Sequence, residues 1–406
     1  MKAVDEAVVA INGLTARWAE QAEQTEQTGR GTVFSAAGVW PLLAFLADGA
    51  SGAARAQLAE AVGLSAERAA RAAHDCLVAL GGLRGVDAAL GLWSSRKVKV
   101  REEWTAGLPP HTHRKLTGWR RSDRKALDAW AAERTGGRIQ HMPVELSRDA
   151  MLVLASALAL ETQWIRPFNT DLARPGSGPW QGRELAGLSR TTALLDRVGV
   201  ADTPAGQVTD LTVVGTNGMD VHLLLGEEQM TAGQVLKAGV NILAGRHRLV
   251  PGSQLPRGEA GPGVHVAEVR TPYPERPKLY ASTVAFDIVA EHDLMAHADL
   301  FGLGSASVRS AGHFPGISDS PLAIGSARQS VTAAFTDKGF KAAVVTAVEV
   351  AAGSARFPEK KYVKTEVYAT FHRPFGFLAV HRASRLVLAA GWVTKPSPYL
   401  EVKDEW

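Results

Sequence analysis

The stretch AMLVLASALAL, residues Ala150–Leu160, constrains the fold of this 406-residue chain more than any other. It carries no charge and is apolar at odd and even positions alike, so a strand built from it is apolar on both faces. Such a strand belongs in the middle of a sheet that is covered on both sides. It is too short to span a membrane, which takes about 20 apolar residues as a helix. We therefore expect a large buried sheet.

Helical patterns precede this strand. The N-terminal segment predicts an amphipathic helix with Val8, Ile11, Leu14 and Trp18 on one stripe. Two further helices follow, separated by a cap at Ser51 and ending near Gly63. After a strand in DAALGLWSS, another helix is expected over the sequence SDRKALDAWAAER, capped by Ser122 and closed by Gly136 and Gly137.

Short strand patterns dominate after Pro167. They are MDVHLLLGE, GVHVAEVRT, ASTVAFDIVA, SVTAAFT, GFLAVHR and RLVLAAGWV. The Gly- and Pro-rich residues 250–263 predict a surface loop. Helices gathered in front of strands are typical of the α+β class. We expect one domain over 1–406, helix-rich in 1–150 and strand-rich in 150–406, with a loop over 340–370.

Composition excludes several classes of protein. The net charge of +4 is modest for this length and does not indicate a nucleic-acid partner. The single cysteine, Cys76, allows no intramolecular disulfide. No signal peptide or membrane-spanning run is visible, so we expect a cytoplasmic protein without a membrane partner. We also expect a monomer, and the Ala-, Gly- and Arg-rich composition suggests a bacterial source.

Motifs for chemistry are sparse. The chain lacks the G-x-S-x-G, P-loop and dinucleotide fingerprints, so no enzyme activity or cofactor is predicted. His111 and His113 form an H-x-H pair in a Pro-bounded basic loop, which is more often solvated than metal-binding. The basic run over 111–125 surrounds Trp119. We interpret it as a solvated face beside a packed Trp, with a polyanion site as the alternative.

The run from Phe340 to Ala352 has the alternation of a strand. One face, which starts with Phe340 and ends with Ala352, has no charge; the other carries Lys341 and Glu349 near its ends. Behind it lies a segment of the kind that proteases cut, beginning at Gly353. An ordinary half-buried strand is the simpler interpretation. The alternative is a loop that becomes an inserted strand after cleavage.

Here the chain resembles the serpin family. DKGFKAAVVTAV is similar to the hinge of the serpin reactive-centre loop, and HRPFGFLAVHRASRLVLAAGWVTKP to the two closing strands of that fold. Upstream, VFSAAGVWPLLAFLADGASGAARAQLAEAVGL, LDAWAAERTGGRI, ASALALETQWIRPF and DLMAHADLFGLGSASVRSAGHFPGIS resemble serpin elements in the family's order. The resemblance implies one large mixed sheet, smaller sheets and an exposed reactive-centre loop. The hinge residues it implies are Asp337, Gly339, Phe340, Lys341, Ala342, Ala343 and Thr346.

The resemblance also implies a function. Inhibitory serpins offer the loop as bait to a serine protease, and the cleaved loop inserts into the main sheet and traps the enzyme. The family's spacing of about sixteen residues from Asp337 places the scissile bond at Gly353–Ser354, with Arg356–Phe357 as second choice. Small residues before the first bond suit an elastase- or subtilisin-like protease.

Several positions depart from the family's pattern. Phe340 stands where a small residue is usual and Lys341 where Glu is usual. In the region where the sheet opens, Ser156, Glu161 and Gln329 replace the usual Asn, Lys and His, close to the matching Trp164, and Gly38 replaces a Ser. These departures favour a second hypothesis, a serpin scaffold reused for a small-molecule ligand, for a partner, or for catalysis in a bacterial biosynthetic pathway. That site would lie near Ser156, Glu161 and Gln329 or along EKKYVKTEVY.

Overall fold

The computed structural model describes residues 2–21, 31–144, 146, 151–308, 312–340 and 361–399. Within these, the helices are α1 (Lys2–Gln21), α2 (Ala36–Gly49), α3 (Gly52–Val62), α4 (Ala66–Gly81), α5 (Glu102–Ala106), α6 (Arg120–Arg134), α7 (Ala232–Leu243) and α8 (Ala298–Phe301). None of these helices is long and apolar enough to cross a membrane.

The strands form three sheets. In chain order they are β1 (Thr32–Phe34), β2 (Val86–Ser95), β3 (His113–Leu116), β4 (Leu152–Leu160), β5 (Thr162–Gln163), β6 (Asn169–Ala173), β7 (Leu185–Thr192), β8 (Val198–Thr203), β9 (Gly206–Val214), β10 (Met219–Gly226), β11 (Leu249–Pro251), β12 (Gly258–Gly261), β13 (Val264–Thr271), β14 (Lys278–Val284), β15 (Phe286–Asp293), β16 (Ile324–Phe335), β17 (Gly339–Phe340), β18 (Tyr362–Thr370), β19 (Phe375–His381) and β20 (Leu386–Val393).

The main sheet has the order β3-β2-β4-β16-β17-β5, with β15 on the free edge of β16. β4 is buried along its whole length, as its two apolar faces predict. Helix α6 covers the outer face, where Trp130 meets Trp93 edge to face at 6.3 Å. The inner face packs on α2 and on a second sheet, β1-β20-β19-β10-β9-β8-β11.

The third sheet has the order β12-β13-β18-β14-β7-β6. Its strand β18 follows the segment 341–360 and pairs with β14 on one side and with β13 on the other. The pairing with β13 extends over eight residues, from Tyr362 to Ala369. The chain that leaves the main sheet at β17 therefore re-enters the described structure in the middle of a different sheet.

Three predictions of local structure were wrong. Ser122 lies inside α6, whose N-cap is Trp119, because the helix begins two residues earlier. Residues 250–263 form the end of β11, a short 3-10 turn and β12, since the strand β13 gives β12 a hairpin partner. Residues 362–370, assigned to the loop, form β18 because β13 and β14 satisfy both of its edges.

Candidate functional site

The main sheet divides at one end around β17. Strands β4 and β16 are parallel neighbours over eight residue pairs, from Leu152–Ile324 to Ala159–Thr332. Beyond these pairs, Phe340 of β17 lies between them, antiparallel to Phe335 of β16 and to Thr162 of β5. We call this junction of β5, β17 and the end of β16 the fork. It places the start of the predicted hinge between the two central strands.

The turn that precedes β17 is tied to the chain that follows β5. Trp164 donates its indole Nε1–H to the carbonyl of Thr336 at 2.9 Å and its backbone N–H to the carbonyl of Lys338 at 2.9 Å. Phe168 N–H bonds the carbonyl of Asp337 at 2.8 Å. Because these bonds link the turn to the β5 side, the turn is held over the gap between β4 and β16.

Gly339 and Phe340 fill the fork closely. A β-carbon on Gly339 would lie 2.3 Å from the carbonyl oxygen of Thr162, so this position needs a glycine. The Phe340 side chain is fully buried, with its ring 5.8 Å from that of Phe377. Phe377 in turn stacks on Phe286, and Phe286 on Phe335. The benzyl group thus packs in an aromatic core.

A polar cluster joins β4 and β16 near the middle of their ladder. Gln329 and Ser156 are register partners on these strands. The Gln329 Oε1 accepts the backbone N–H of Ser35 at 2.9 Å, and its Nε2 donates to the Ser35 carbonyl at 2.8 Å. Ser156 Oγ donates to the Gly38 carbonyl at 2.6 Å. We call Ser35, Gly38, Ser156 and Gln329 the Gln329 network; it fastens both central strands to the start of α2.

The glycine at position 38 makes room for this network. A β-carbon there would lie 2.8 Å from Ser156 Oγ and 3.2 Å from Gln329 Nε2. Ser35 is the N-cap of α2, accepting from Gly38 N–H at 3.0 Å and donating to the Leu388 carbonyl at 2.5 Å. The residues at 38, 156 and 329 therefore fit one another as a set.

Glu161 lies where β4 passes into β5, on the face covered by α6. Its carboxylate pairs with Arg138, and Arg138 also binds Asp87 of β2 at 2.7 Å. The side chains of Glu161 and Arg138 are each about three-quarters buried. An acidic side chain thus stands beside the fork on its outer face.

Comparisons with known proteins agree with this architecture. Residues 10–177 match the family model of serpins, described as serine protease inhibitors. Human thyroxine-binding globulin with thyroxine is 16% identical, covering 98% of this chain and 99% of that chain with a TM-score of 0.71. The protein has the serpin fold. The resemblance and the α+β class inferred from the sequence are confirmed.

Other serpin structures are similar over their whole length. Native protease nexin-1 with heparin is 16% identical, with a TM-score of 0.70 over 98% of this chain and 100% of that chain. Tengpin, a thermophilic serpin in its native state, is 13% identical, with a TM-score of 0.71 over 97% and 94%. A comparison with curated protein sequences finds no match. At these identities the likeness establishes the fold alone.

The structure brings together part of the predicted serpin site. Asp337, Gly339 and Phe340 lie in or next to the fork with Trp164, and Ser156 joins Gln329 in the network. The other hinge residues and both candidate scissile bonds lie outside the described residues: Lys341, Ala342, Ala343, Thr346, Gly353–Ser354 and Arg356–Phe357.

Sequence reasoning missed two residues of this region. Ser35 supplies a backbone N–H and carbonyl to Gln329, and its position before the apolar run of α2 was an N-cap signal. Arg138, the partner of Glu161, follows two glycines and has no sequence signal of its own. Both residues contact site residues that are far from them in sequence.

Two interpretations of surface residues also need correction. Trp119, expected to be packed, is 76% exposed because it precedes α6 instead of lying on its buried face. His113, expected to be solvated, is half-buried in β3, with its Nε2 2.8 Å from Ser94 Oγ. Among the described residues, no group of three or more His, Cys, Asp or Glu side chains is placed to hold a metal ion.

Proposed function

We propose that this serpin-fold protein inhibits a protease as a suicide pseudo-substrate, by cleavage of the segment after β17 and insertion of that segment into the main sheet. The observation that carries the proposal is the fork. Phe340 already pairs with β16 on one side and, on the other, with β5, which follows β4 after Glu161. The segment would enter between β16 and β4. Three ladders meet at the fork, those of β17 with β16, of β17 with β5 and of β4 with β16. Together they define one consistent register for every residue that would follow Phe340 in the inserted strand.

Continued along the inserted strand, that register would bring Thr346 to the Gln329 network. Thr346 is six residues beyond Phe340, so it falls opposite Ser156, six before Thr162, and opposite Gln329, six before Phe335. Ser156 and Gln329 are themselves register partners, as this requires. On the core-facing side of the inserted strand, Thr346 is the only polar residue from 342 to 352. Its hydroxyl would enter the polar cluster that the described residues form between the two strands.

The same register pairs the two reversed charges. One residue beyond Phe340, Lys341 falls opposite Glu161, one before Thr162. Directly opposed residues of antiparallel strands share a face, and an opposite-charge pair there contributes about 0.2–1 kcal/mol. The family's usual Glu and Lys have changed places at these two positions. The inserted strand would therefore keep an opposite-charge pair there, with the positive charge on the inserted strand and the negative charge just after β4.

Insertion would replace weaker pairing with stronger pairing. The eight-pair ladder between β4 and β16 is parallel. A strand that turns back from β16 runs antiparallel to both neighbours, as β17 does, and antiparallel pairs are slightly more stable per residue. Two antiparallel ladders would therefore replace one parallel ladder, at the cost of opening the Gln329 network. Release from β18 by cleavage at Gly353–Ser354 would free the segment to move.

The test is incubation with subtilisin, elastase and trypsin in turn. We expect a covalent complex on denaturing gels with an elastase- or subtilisin-like enzyme, a cut mapped to Gly353–Ser354, and a nicked protein that melts well above the intact one. A cut at Arg356–Phe357 by trypsin would select the second bond. Cleavage without complex and without a gain in melting temperature would refute insertion.

A pair of variants at Thr346 sharpens the test. Thr346→Arg would place a long charged side chain in the core-facing slot between Ser156 and Gln329, where an unpaired buried charge is strongly unfavourable. We expect this variant to be cleaved as a substrate without complex formation. Thr346→Ser keeps the hydroxyl and should still form the complex. Equal complex formation by both variants would contradict the register.

A second candidate function is the binding of a small molecule. A cavity of about 560 Å³ lies between the end of α1, helix α7 and the β8–β9 turn, within the size range of ligand sites. Polar groups converge on it: Lys237 pairs with Glu20, and Asn241 and His247 line the wall. The similar thyroxine-binding globulin is a complex with thyroxine. A melting-temperature shift with thyroxine as the probe, abolished by Asn241→Leu, would support this candidate.

A further inference from the structure

The basic run over residues 111–125 forms a charged surface around an exposed Trp. It carries six Lys or Arg and one Asp, a net charge of +5, whereas the whole chain carries +4. Lys115 ends on the outside of β3, and four more cations lie on the first turns of α6. We call this set the Trp119 surface; its members are Lys115, Trp119, Arg120, Arg121, Arg124 and Lys125.

Four cations of this surface are gathered around one open cavity. Among the residues that the structure describes, none of the five forms an ion pair. Arg120, Arg121, Arg124 and Lys125 line one open cavity of about 430 Å³ together with Asp128. Asp128 is engaged elsewhere, since it accepts the backbone N–H of Met142 at 2.8 Å. Within the described part of the chain, these cations therefore have no ion-pair partner that an anionic ligand would have to displace.

The exposed indole is presented on a fixed turn. Asp123, which is buried, accepts hydrogen bonds from Thr117 N–H at 2.7 Å, from the Thr117 hydroxyl at 2.7 Å and from Gly118 N–H at 2.9 Å. The acidic residue of the run therefore braces the turn, and its carboxylate faces Thr117 and Gly118 in the described structure. Trp119 N–H bonds Thr117 Oγ1 at 3.2 Å, and the Trp119 residue stays 76% exposed.

We propose that the Trp119 surface binds single-stranded nucleic acid. Surfaces of that kind combine cations that follow the phosphates with aromatic side chains on which bases stack. A duplex keeps its bases stacked inside and offers no free base face to an exposed indole. A sulfated polysaccharide would be held mainly through its sulfates, so its binding would depend on the cations more than on Trp119. Arginine, which supplies three of the five cations here, binds phosphate oxygens with two N–H groups at once. The proposal does not depend on protease inhibition.

The experiment is fluorescence anisotropy with a short labelled oligothymidylate and the full chain, between about 50 and 200 mM salt. We expect Trp119→Ala to weaken binding by about ten-fold or more, and Trp119→Phe to retain most of the affinity. Arg121→Ala and Arg124→Ala should each lower the slope of log K against log salt by about 0.7. All three positions are exposed, so these four variants should fold.

Matched controls separate this surface from general effects. Tyr273→Ala removes another exposed aromatic and Arg71→Ala another exposed helical cation, and neither should change binding. Absence of binding at low salt would overturn the proposal. So would binding that ignores Trp119, equal affinity for duplex DNA, or displacement by heparin with no dependence on Trp119, which would identify a sulfated polysaccharide as the ligand class.

Discussion

Replacing Gln329 by alanine should weaken the closed main sheet and favour strand insertion. In the closed sheet the Gln329 amide satisfies both the N–H and the carbonyl of Ser35, at 2.9 and 2.8 Å. Gln329 and Ser156 are fully buried, and Ser35 is nearly so. Truncation would leave two buried backbone groups without partners and would disconnect β16 from α2.

The size of the effect follows from those two bonds. Each buried polar group left unsatisfied costs about 1–3 kcal/mol, so the closed state should lose roughly 2–6 kcal/mol. Unfolding entropy is about 2.1 cal/mol/K per residue, or roughly 0.85 kcal/mol/K for a chain of this length. The intact variant should therefore melt about 2–7 °C below the parent protein.

The assay compares melting with the uptake of a synthetic peptide of residues 341–352. We expect Gln329→Ala to melt lower and to take up the peptide faster than the parent. Thr332→Ala on the same strand is the control, because no side-chain hydrogen bond of Thr332 is found within the described residues; it should change neither quantity much. A lower melting temperature with unchanged uptake would show that the network supports the fold without restraining the sheet.

Three further perturbations test two residues of the site and His292 of β15, which lies opposite Gln329 in the ladder between β15 and β16. Glu161→Lys should lower the fraction of protease trapped about two- to five-fold by opposing Lys341, and adding Lys341→Glu should restore it; failure of the double variant to recover would contradict the register. Phe340→Ala should destabilise the intact protein by about 3–5 kcal/mol in denaturant unfolding, with Val289→Ala as the control at an exposed site. A gain in stability would mean that the Phe340 ring is overpacked. Burial lowers the pKa of His292 below its ordinary 6.5, so the unfolded state takes up the proton first and stability should fall as pH drops below about 6.5. His292→Gln should flatten that pH dependence, and an unchanged profile would remove His292 as its cause.

Much of the fold could be predicted from local patterns. The two-faced apolar run became β4, fully buried in the sheet. Ser51 and Gly63 delimit α3 as predicted, Gly63 in the left-handed conformation typical of a C-cap, and Ser51 at the N-cap position without a side-chain cap hydrogen bond among the described residues. Five of the six alternating strands predicted for the second half exist as single strands, whereas ASTVAFDIVA is divided at Ala285 between β14 of the third sheet and β15 of the main sheet. Residues 250–263 could not be read in this way, because Gly and Pro marked a loop while the hairpin depends on pairing with β13 and, through β13, with β18.

The site was less predictable because its parts meet only through the sheet. The network joins residues that are far apart in sequence, namely Ser35, Ser156 and Gln329. No local sequence pattern indicates that the Gln329 side-chain amide would bond the backbone N–H and carbonyl of Ser35. Phe340 was an obstacle by size alone, yet Phe377, Phe286 and Phe335 surround it with an aromatic core. The size of one side chain in the sequence does not show how much space its neighbours leave for it in the folded protein.

The departures from the serpin pattern have different weight once their neighbours are known. Taken one at a time, they are lost contacts and argue against a working trap. In the structure Gly38 leaves the room that Gln329 and Ser156 occupy. In the proposed inserted strand, the reversed charges of Glu161 and Lys341 would share one register position. Interaction energies depend on pairs and not on single residues, so a coordinated exchange can keep the interaction while changing both partners. The double variant at 161 and 341 therefore tests the reasoning behind the proposed function as well as the contact itself.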